Sequence, residues 1–290
     1  MLKTCLFIGP TRLSSAVLGL VDRYPPACLG SVFRAVESGY RQIGIVDAYF
    51  GNVASIWHKE ILFALSRGVV VWGAASTGAL RAAELERFGM LGCGVVFRLF
   101  RSGILEDDDE VCVIHAPREL RYEPLSFAMV NIRYTLRALR RRGALCREEE
   151  KILCDQLKSL HFSSRDAINL YTTALSRFGD TRGKKIADDF MLYYCDVKAR
   201  DAGRLVHVMA GRESTDPPLR DWKFPRTEYW VQQFEKQLSH VPPLGYDAGD
   251  LPGGHPSQHA VRADQDTRAA ELPEASPHTP YVHPPADRGD

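Results

Sequence analysis

The sharpest chemical signal in the sequence is Gly73-Ala-Ala-Ser-Thr-Gly78, followed directly by Ala79-Leu-Arg-Ala-Ala-Glu84. An apolar run enters a turn of small residues and a helical pattern leaves it. Ser76 therefore falls at the carboxyl end of a predicted strand, where open α/β sheets hold their ligands. Small neighbours admit a substrate backbone, and the amides of Thr77 and Gly78 at the helix N-terminus would favour an anion. Ala74-x-Ser76-x-Gly78 also has the pattern of a nucleophile elbow with alanine in place of the first glycine. The same serine suits a helix cap, and the two uses are compatible. Arg81 and Glu84 share a helix face. Facing the site, Arg81 would clamp a carboxylate with two donors; as a surface pair the two would contribute under about 1 kcal/mol.

Other groups could join this serine. His58, within Trp57-His-Lys-Glu60, is a candidate general base near neutral pH, although a lone histidine is more often structural. Asp47 ends its strand at the same rim, where it could equally be a turn residue. Glu106-Asp-Asp-Asp-Glu110 has carboxylates enough for Mg²⁺, or for a solvated acidic turn. His115 lies near the end of a further predicted strand and could approach the rim. The basic run Arg137, Arg140, Arg141, Arg142 and Arg147 reads as a solvated helix end, or as a dock for an acidic protein.

The elements that must position these groups alternate through the first half of the chain. Strands are predicted at Lys3–Gly9, Arg41–Asp47, Val69–Ala75 and Val111–Ala116. Their continuous apolar cores suit strands buried on both faces. Helices are predicted at Leu13–Arg23, Cys28–Ser38, Val53–Ser66 and Thr77–Phe88. The fold class expected is α/β, a mainly parallel sheet with helices on both faces, followed by a helical C-terminal part and a disordered tail. Leu125, Met129, Ile132, Leu136 and Leu139 recur at helical spacing. Further helices are expected at Glu148–Leu160, Ser164–Phe178 and Lys184–Ala199. The division is 1–145 for an α/β core, 146–240 for a helical extension packed on it, and 241–290 for a proline-rich tail. That tail has too few large apolar residues to offset its ordering entropy. Its histidines, His255, His259, His278 and His283, could hold a metal, although their irregular spacing favours solvated side chains.

Composition bounds the function. The 290 residues carry 37 Lys+Arg against 36 Asp+Glu, a formal charge of +1, which argues against nucleic acid as the partner. No run approaches the roughly 20 apolar residues of a membrane helix. Gly9-Pro10 and Arg12 interrupt the N-terminal apolar run, so it does not read as a signal peptide. Seven cysteines without metal spacing suggest a reduced, cytoplasmic protein with mostly buried thiols.

Together these motifs resemble the TfuA-like proteins. The matching stretches are Phe7-Ile-Gly-Pro10, Pro25-Pro26, Ile43-Gly-Ile-Val-Asp47 with Phe50, and Trp57-His-Lys-Glu-Ile-Leu62. They continue through Gly73-Ala-Ala-Ser76, Gly78-Ala-Leu-Arg-Ala-Ala-Glu-Leu85, Phe88-Gly-Met90, Asp107-Asp-Asp-Glu-Val111, Leu125-Ser126 and Val130-Asn-Ile-Arg133. They cover about the first half of the chain, in family order. The sequence departs from the family pattern at Ser31 (usually Asp), Ala48 (usually Gly) and Thr77 (usually Met).

The resemblance implies an accessory role in post-translational modification of ribosomal peptides, beside a YcaO enzyme that activates a backbone amide. ATP and Mg²⁺ would belong to that partner, and no cofactor is expected here; the chain has no GxxxxGK[ST] phosphate loop. A ubiquitin-like sulfur carrier would bring a thiocarboxylate, and this protein would hydrolyse it and release sulfide for thioamidation. The precursor peptide is a further possible partner. On this reading Thr77, Gly78 and Arg81 bind the carrier's acyl end. Ser76 is nucleophile or oxyanion donor, His58 or Glu84 activates Ser76 or a water, and Asp47 orients the base. The alternative is a non-catalytic scaffold or activator of a YcaO cyclodehydratase making azolines or thioamides. A serine esterase or peptidase rests on the elbow pattern alone.

Overall fold

Three of the four apolar runs become strands because each must be buried on both faces. In the computed structural model, which describes residues 2–50, 53–211, 222–236 and 244–245, they are β1 (Thr4–Phe7), β3 (Gln42–Ile45) and β4 (Val70–Ala74). Two shorter strands, β2 (Asp22–Tyr24) and β5 (Leu91–Cys93), complete an all-parallel sheet in the order β2-β1-β3-β4-β5. The described residues lie in one unit, Met1–His255; a second, Pro256–Asp290, is outside them, as is nearly all of the predicted 241–290 tail.

Side-chain alternation assigns the two faces. Cys5, Phe7, Ile43, Ile45 and Val71 face one core. It is closed by α2 (Ser31–Glu37), α3 (His58–Ser66), α4 (Thr77–Leu85) and α5 (Gly94–Arg101). Leu6, Ile8, Val46, Val70, Trp72 and Ala74 face the other, covered by residues flanking and within α1 (Ser15–Leu18) and by α10 (Val197–Ala210) through Ala202, Leu205, Val206 and Met209. Between these lie α6 (Met129–Arg141), α7 (Arg147–Ser159), α8 (Ala167–Phe178) and α9 (Asp180–Leu192), with their own core around Ile132, Leu136, Leu153 and Phe190. The predicted α/β class with helices on both faces is observed. Among the described residues no helix is long and apolar enough to cross a membrane.

Several predicted elements need correction. Val111–Ala116 is not a strand, because its polar backbone is satisfied elsewhere. The Val111 carbonyl accepts from two side chains, the Ile114 amide donates to Ser126 Oγ, and the Ala116 amide donates to the Glu123 carbonyl. The predicted helix at Leu125 starts only at Met129, since Leu125 and Phe127 donate to Ile114 and Arg165 carbonyls. The predicted Lys184–Ala199 helix is two helices, broken at Tyr193 and restarted where Asp196 caps Ala199. β2, β5 and α5 were not expected; strands of three residues leave little periodic signal.

Two local constraints set how close the layers come. Gly78 of α4 lies directly on β3: a Cβ there would stand 1.8 Å from the Ile45 carbonyl oxygen, and its amide donates to the Val46 carbonyl at 3.1 Å. One at Gly73 would stand 1.9 Å from the Gly78 oxygen. Only glycine at both positions allows this approach. The second constraint is Glu60, fully buried in α3. Its carboxylate accepts from the amides of Gly30, Val32 and Phe33 at the start of α2 and from Trp57 at the start of its own helix. It thus satisfies N-terminal donors of two helices at once. Burial outweighs those four bonds and raises its pKa from 4.5 to about 7.

Gly78→Ala is expected to destabilise the protein by about 3 kcal/mol or prevent folding, read as a lowered chemical-denaturation midpoint. Between about pH 4.5 and 7 folded Glu60 holds a proton that the unfolded chain has released, so its contribution to stability falls as pH rises across that window. Wild-type stability should drop relative to Glu60→Gln from pH 5 to pH 7.5 by up to about 3 kcal/mol; parallel urea-midpoint profiles would contradict this.

Candidate functional site

The strand order reverses direction between β1 and β3. Ligands in open parallel sheets sit at such a switch point, beyond the carboxyl ends of the strands. The segment after β1, Gly9-Pro-Thr-Arg12, and Asp47 after β3 meet there. Asp47 is 2% exposed; its Oδ2 accepts from the Gly9 and Thr11 amides at 2.9 and 3.0 Å, and its Oδ1 from Thr11 Oγ1 at 2.8 Å. The nearest cation is Lys198 Nζ, 4.0 Å from Asp47 Oδ1 and likewise buried. Lys198 donates to the Val111 carbonyl at 2.7 Å, and Ser76 Oγ donates to that same oxygen at a long 3.4 Å. One carbonyl therefore gathers the serine after β4 and the lysine of α10 at the sheet rim.

Lys198 is placed by the start of its helix. Asn131 Oδ1 accepts from the Val197 and Lys198 amides, at 3.1 and 3.3 Å, while Asn131 Nδ2 donates to Tyr194 and Asp196. One turn on, buried Asp201 accepts from Val96 at the start of α5. Burial raises its pKa, against those amides and nearby arginines. Beside Lys198 opens a cleft of about 550 Å³, lined by Thr11, Arg12, Ser126, Asn131 and Tyr194 among others. Arg12 and Glu123 form an ion pair at its wall.

The predicted site residues separate into two groups. Ser76 and Asp47 lie at the rim, both linked to Lys198. Ser76 is 5% exposed and stands at the turn preceding α4, where Ala75 takes a left-handed φ of 67°. It makes no side-chain capping bond. His58, Arg81 and Glu84 form a separate cluster: His58 Nε2 and Arg81 Nη1 each lie 2.7 Å from Glu84 Oε2. Both partners hold the Glu84 pKa down, against partial burial that alone would raise it. Among the described residues no hydrogen bond joins this cluster to Ser76, so the structure does not assemble a Ser76–His58–Asp47 relay. Gly78 needs correction as an anion donor: its amide is committed to Val46. Thr77 is buried beside it, at the first position of α4.

The acidic turn is structural in its contacts. Glu110 is buried against Arg133 in a two-pronged pair at 2.9 and 2.8 Å, and Lys158 approaches Asp107, Asp109 and Glu110. Fully buried Arg165 reaches Asp109 and the carbonyls ending α7. His115 packs its ring between Tyr49 and Tyr122.

Sequence reasoning missed Lys198, Thr11 and the role of Asn131. A signal existed for the first. Lys198 falls in the otherwise apolar stripe Ala202, Leu205 and Met209, and a charge in a buried stripe needs a partner. Lys198→Ala should cost about 3 kcal/mol, because Asp47 loses its nearest cation while remaining buried. Asp47→Asn in the same chain should restore part of that loss, measured as a double-mutant cycle in urea; strict additivity would mean that the two do not couple.

No curated protein matches the chain. A family model described as TfuA-like protein matches residues 47–166, a span that opens on Asp47 and contains Ser76, the Glu110–Arg133 pair, Asn131 and Arg165. Residues 47–166 are thus similar to a TfuA-like core domain, a similarity that carries a family-level link to YcaO-type modification.

Proposed function

We propose that this protein is an accessory of a YcaO enzyme that takes a thiocarboxylate from a ubiquitin-like sulfur carrier and releases sulfide by hydrolysis. ATP and Mg²⁺ then act on the partner, which installs the sulfur in a ribosomal peptide as a thioamide. The observation that carries the reading is the buried Lys198 beside a cleft at the β1/β3 switch point, within reach of Asp47 and one carbonyl away from Ser76.

The chemistry asks little of the site. Water adds to the acyl carbon, the C–S bond breaks, and the products are a carboxylate, hydrosulfide and one proton. The substrate is an anion, and so is the tetrahedral intermediate. A fixed cation in a site of low water content stabilises both, and the more so as charge concentrates on oxygen. Lys198 is that cation. The cleft takes the carrier's extended chain end, with Thr11 and Asn131 along its wall. Ser76 shares Val111 with Lys198 and supplies a hydroxyl to the developing oxyanion. The Arg81–Glu84–His58 cluster is outside this step.

One observation favours the second reading, a non-catalytic scaffold. The histidine and carboxylate expected to activate Ser76 are paired with each other and with Arg81 instead. Purified protein with carrier thiocarboxylate and no YcaO enzyme separates the two. The hydrolase reading expects sulfide above the buffer rate, lowered at least 100-fold by Lys198→Ala and about tenfold by Ser76→Ala. Binding without release would establish the scaffold. Complete loss in Ser76→Ala with carrier acylated on the wild-type serine would make Ser76 the nucleophile.

A further inference from the structure

A second concavity, of about 810 Å³, opens on the other side of the segment that leads into α10. Arg137 and Arg141 line it from successive turns of α6, Arg142 from that helix's end and Arg200 from α10. All four are exposed. Arg142 stacks on the Tyr193 ring, 4.5 Å from its centroid, and among the described residues none of the four forms an ion pair. Asp196, the one carboxylate in the lining, is committed to the α10 cap and to Asn131. In a chain of net charge +1, four guanidinium groups in one groove are a local concentration rather than a general basic field. Tyr134, Ala138 and Val197 lie between them.

We infer that this groove docks an acidic stretch of a polypeptide partner, and so delivers that partner's chain end to the neighbouring cleft. Guanidinium forks match carboxylates two-pronged, as they do phosphates, and two features favour polypeptide carboxylates. The apolar floor accepts the stems of Glu and Asp side chains. The groove is short, whereas nucleic acid favours an extended basic track. Continuity supplies the direction: Asp196 lines both the groove and the Lys198 cleft, with Val197 and Lys198 following it on the two sides. The delivery clause rests on the proposed carrier reading; the docking clause does not.

The test uses the full chain and a fluorescent, C-terminally amidated peptide of Glu and Gly, with a single-stranded oligonucleotide of equal charge as comparison. The peptide should bind in a salt-sensitive way. Arg137→Glu with Arg141→Glu, and separately Arg200→Glu, should each weaken it at least tenfold with unchanged thermal unfolding. Peptide binding indifferent to both variants overturns the proposal, as does tighter binding of the oligonucleotide through the same arginines. In the sulfide-release assay the same variants should raise KM for the carrier and leave kcat intact, which supports delivery; an unchanged KM overturns it. Peptide binding that persists in a protein releasing no sulfide would leave the dock standing and remove only the hydrolase.

Discussion

A parallel sheet must be covered on both faces, and here the second face is closed by a helix that arrives more than one hundred residues after the last strand. Much of the rest depends on how α10 is held down. Its apolar stripe packs on Leu6, Val46, Val70 and Trp72. Its first turn is fixed by Asn131 of α6, and its Asp201 receives the start of α5. Buried polar groups are costly unless paired, and at both ends of this contact the pairing is with helix N-terminal amides. The helix can therefore sit in one register only, and that register brings Lys198 to Asp47.

The rim is thus assembled from distant parts of the chain. Asp47 is held by the Gly9–Thr11 turn after β1, Ser76 by the close approach of α4 to β3, and Lys198 by a helix outside the matched family span. The glycine pair Gly73 and Gly78 sets the height of Ser76 above the sheet. The acidic turn, gripped by Arg133, Lys158 and Arg165, sets where Val111 can stand. The carbonyl of Val111 is the meeting point of both, and the Ser76–Lys198 association is a consequence of packing on either side of it. Electrostatics then follow from position: Lys198 and Asp47 are both out of water, so their attraction is little screened by solvent.

The motif residues divide by what they do. Gly73, Gly78, Glu60 and Asn131 satisfy or permit backbone contacts, while Glu110 and Arg133 pair with each other. Asp47 and Ser76 stand at the rim. Glu84, quoted with the same motif as Ser76, lies apart with His58 and Arg81. One motif on a helix can serve regions with no shared chemistry, since Glu84 stands two turns along α4 from Ser76, a rise of about 12 Å.

The sequence by itself determined the layered α/β class, the three strands β1, β3 and β4, the glycine-bounded helix after β4 and the resemblance to TfuA-like proteins, because each is written in local periodicity or in contiguous motifs. Asp47 and Ser76 were legible as rim residues for the same reason: the end of a parallel strand is a local property. The tertiary structure alone decided that Val111–Ala116 is not a strand, that Gly78's amide is spent, that His58 belongs with Glu84, and that Lys198 completes the rim. Those outcomes turn on which backbone and side-chain groups satisfy one another across separate elements, from Ile114 and Ser126, 12 residues apart, to Asp47 and Lys198 in distant parts of the chain, and such pairing leaves no periodic trace in the chain.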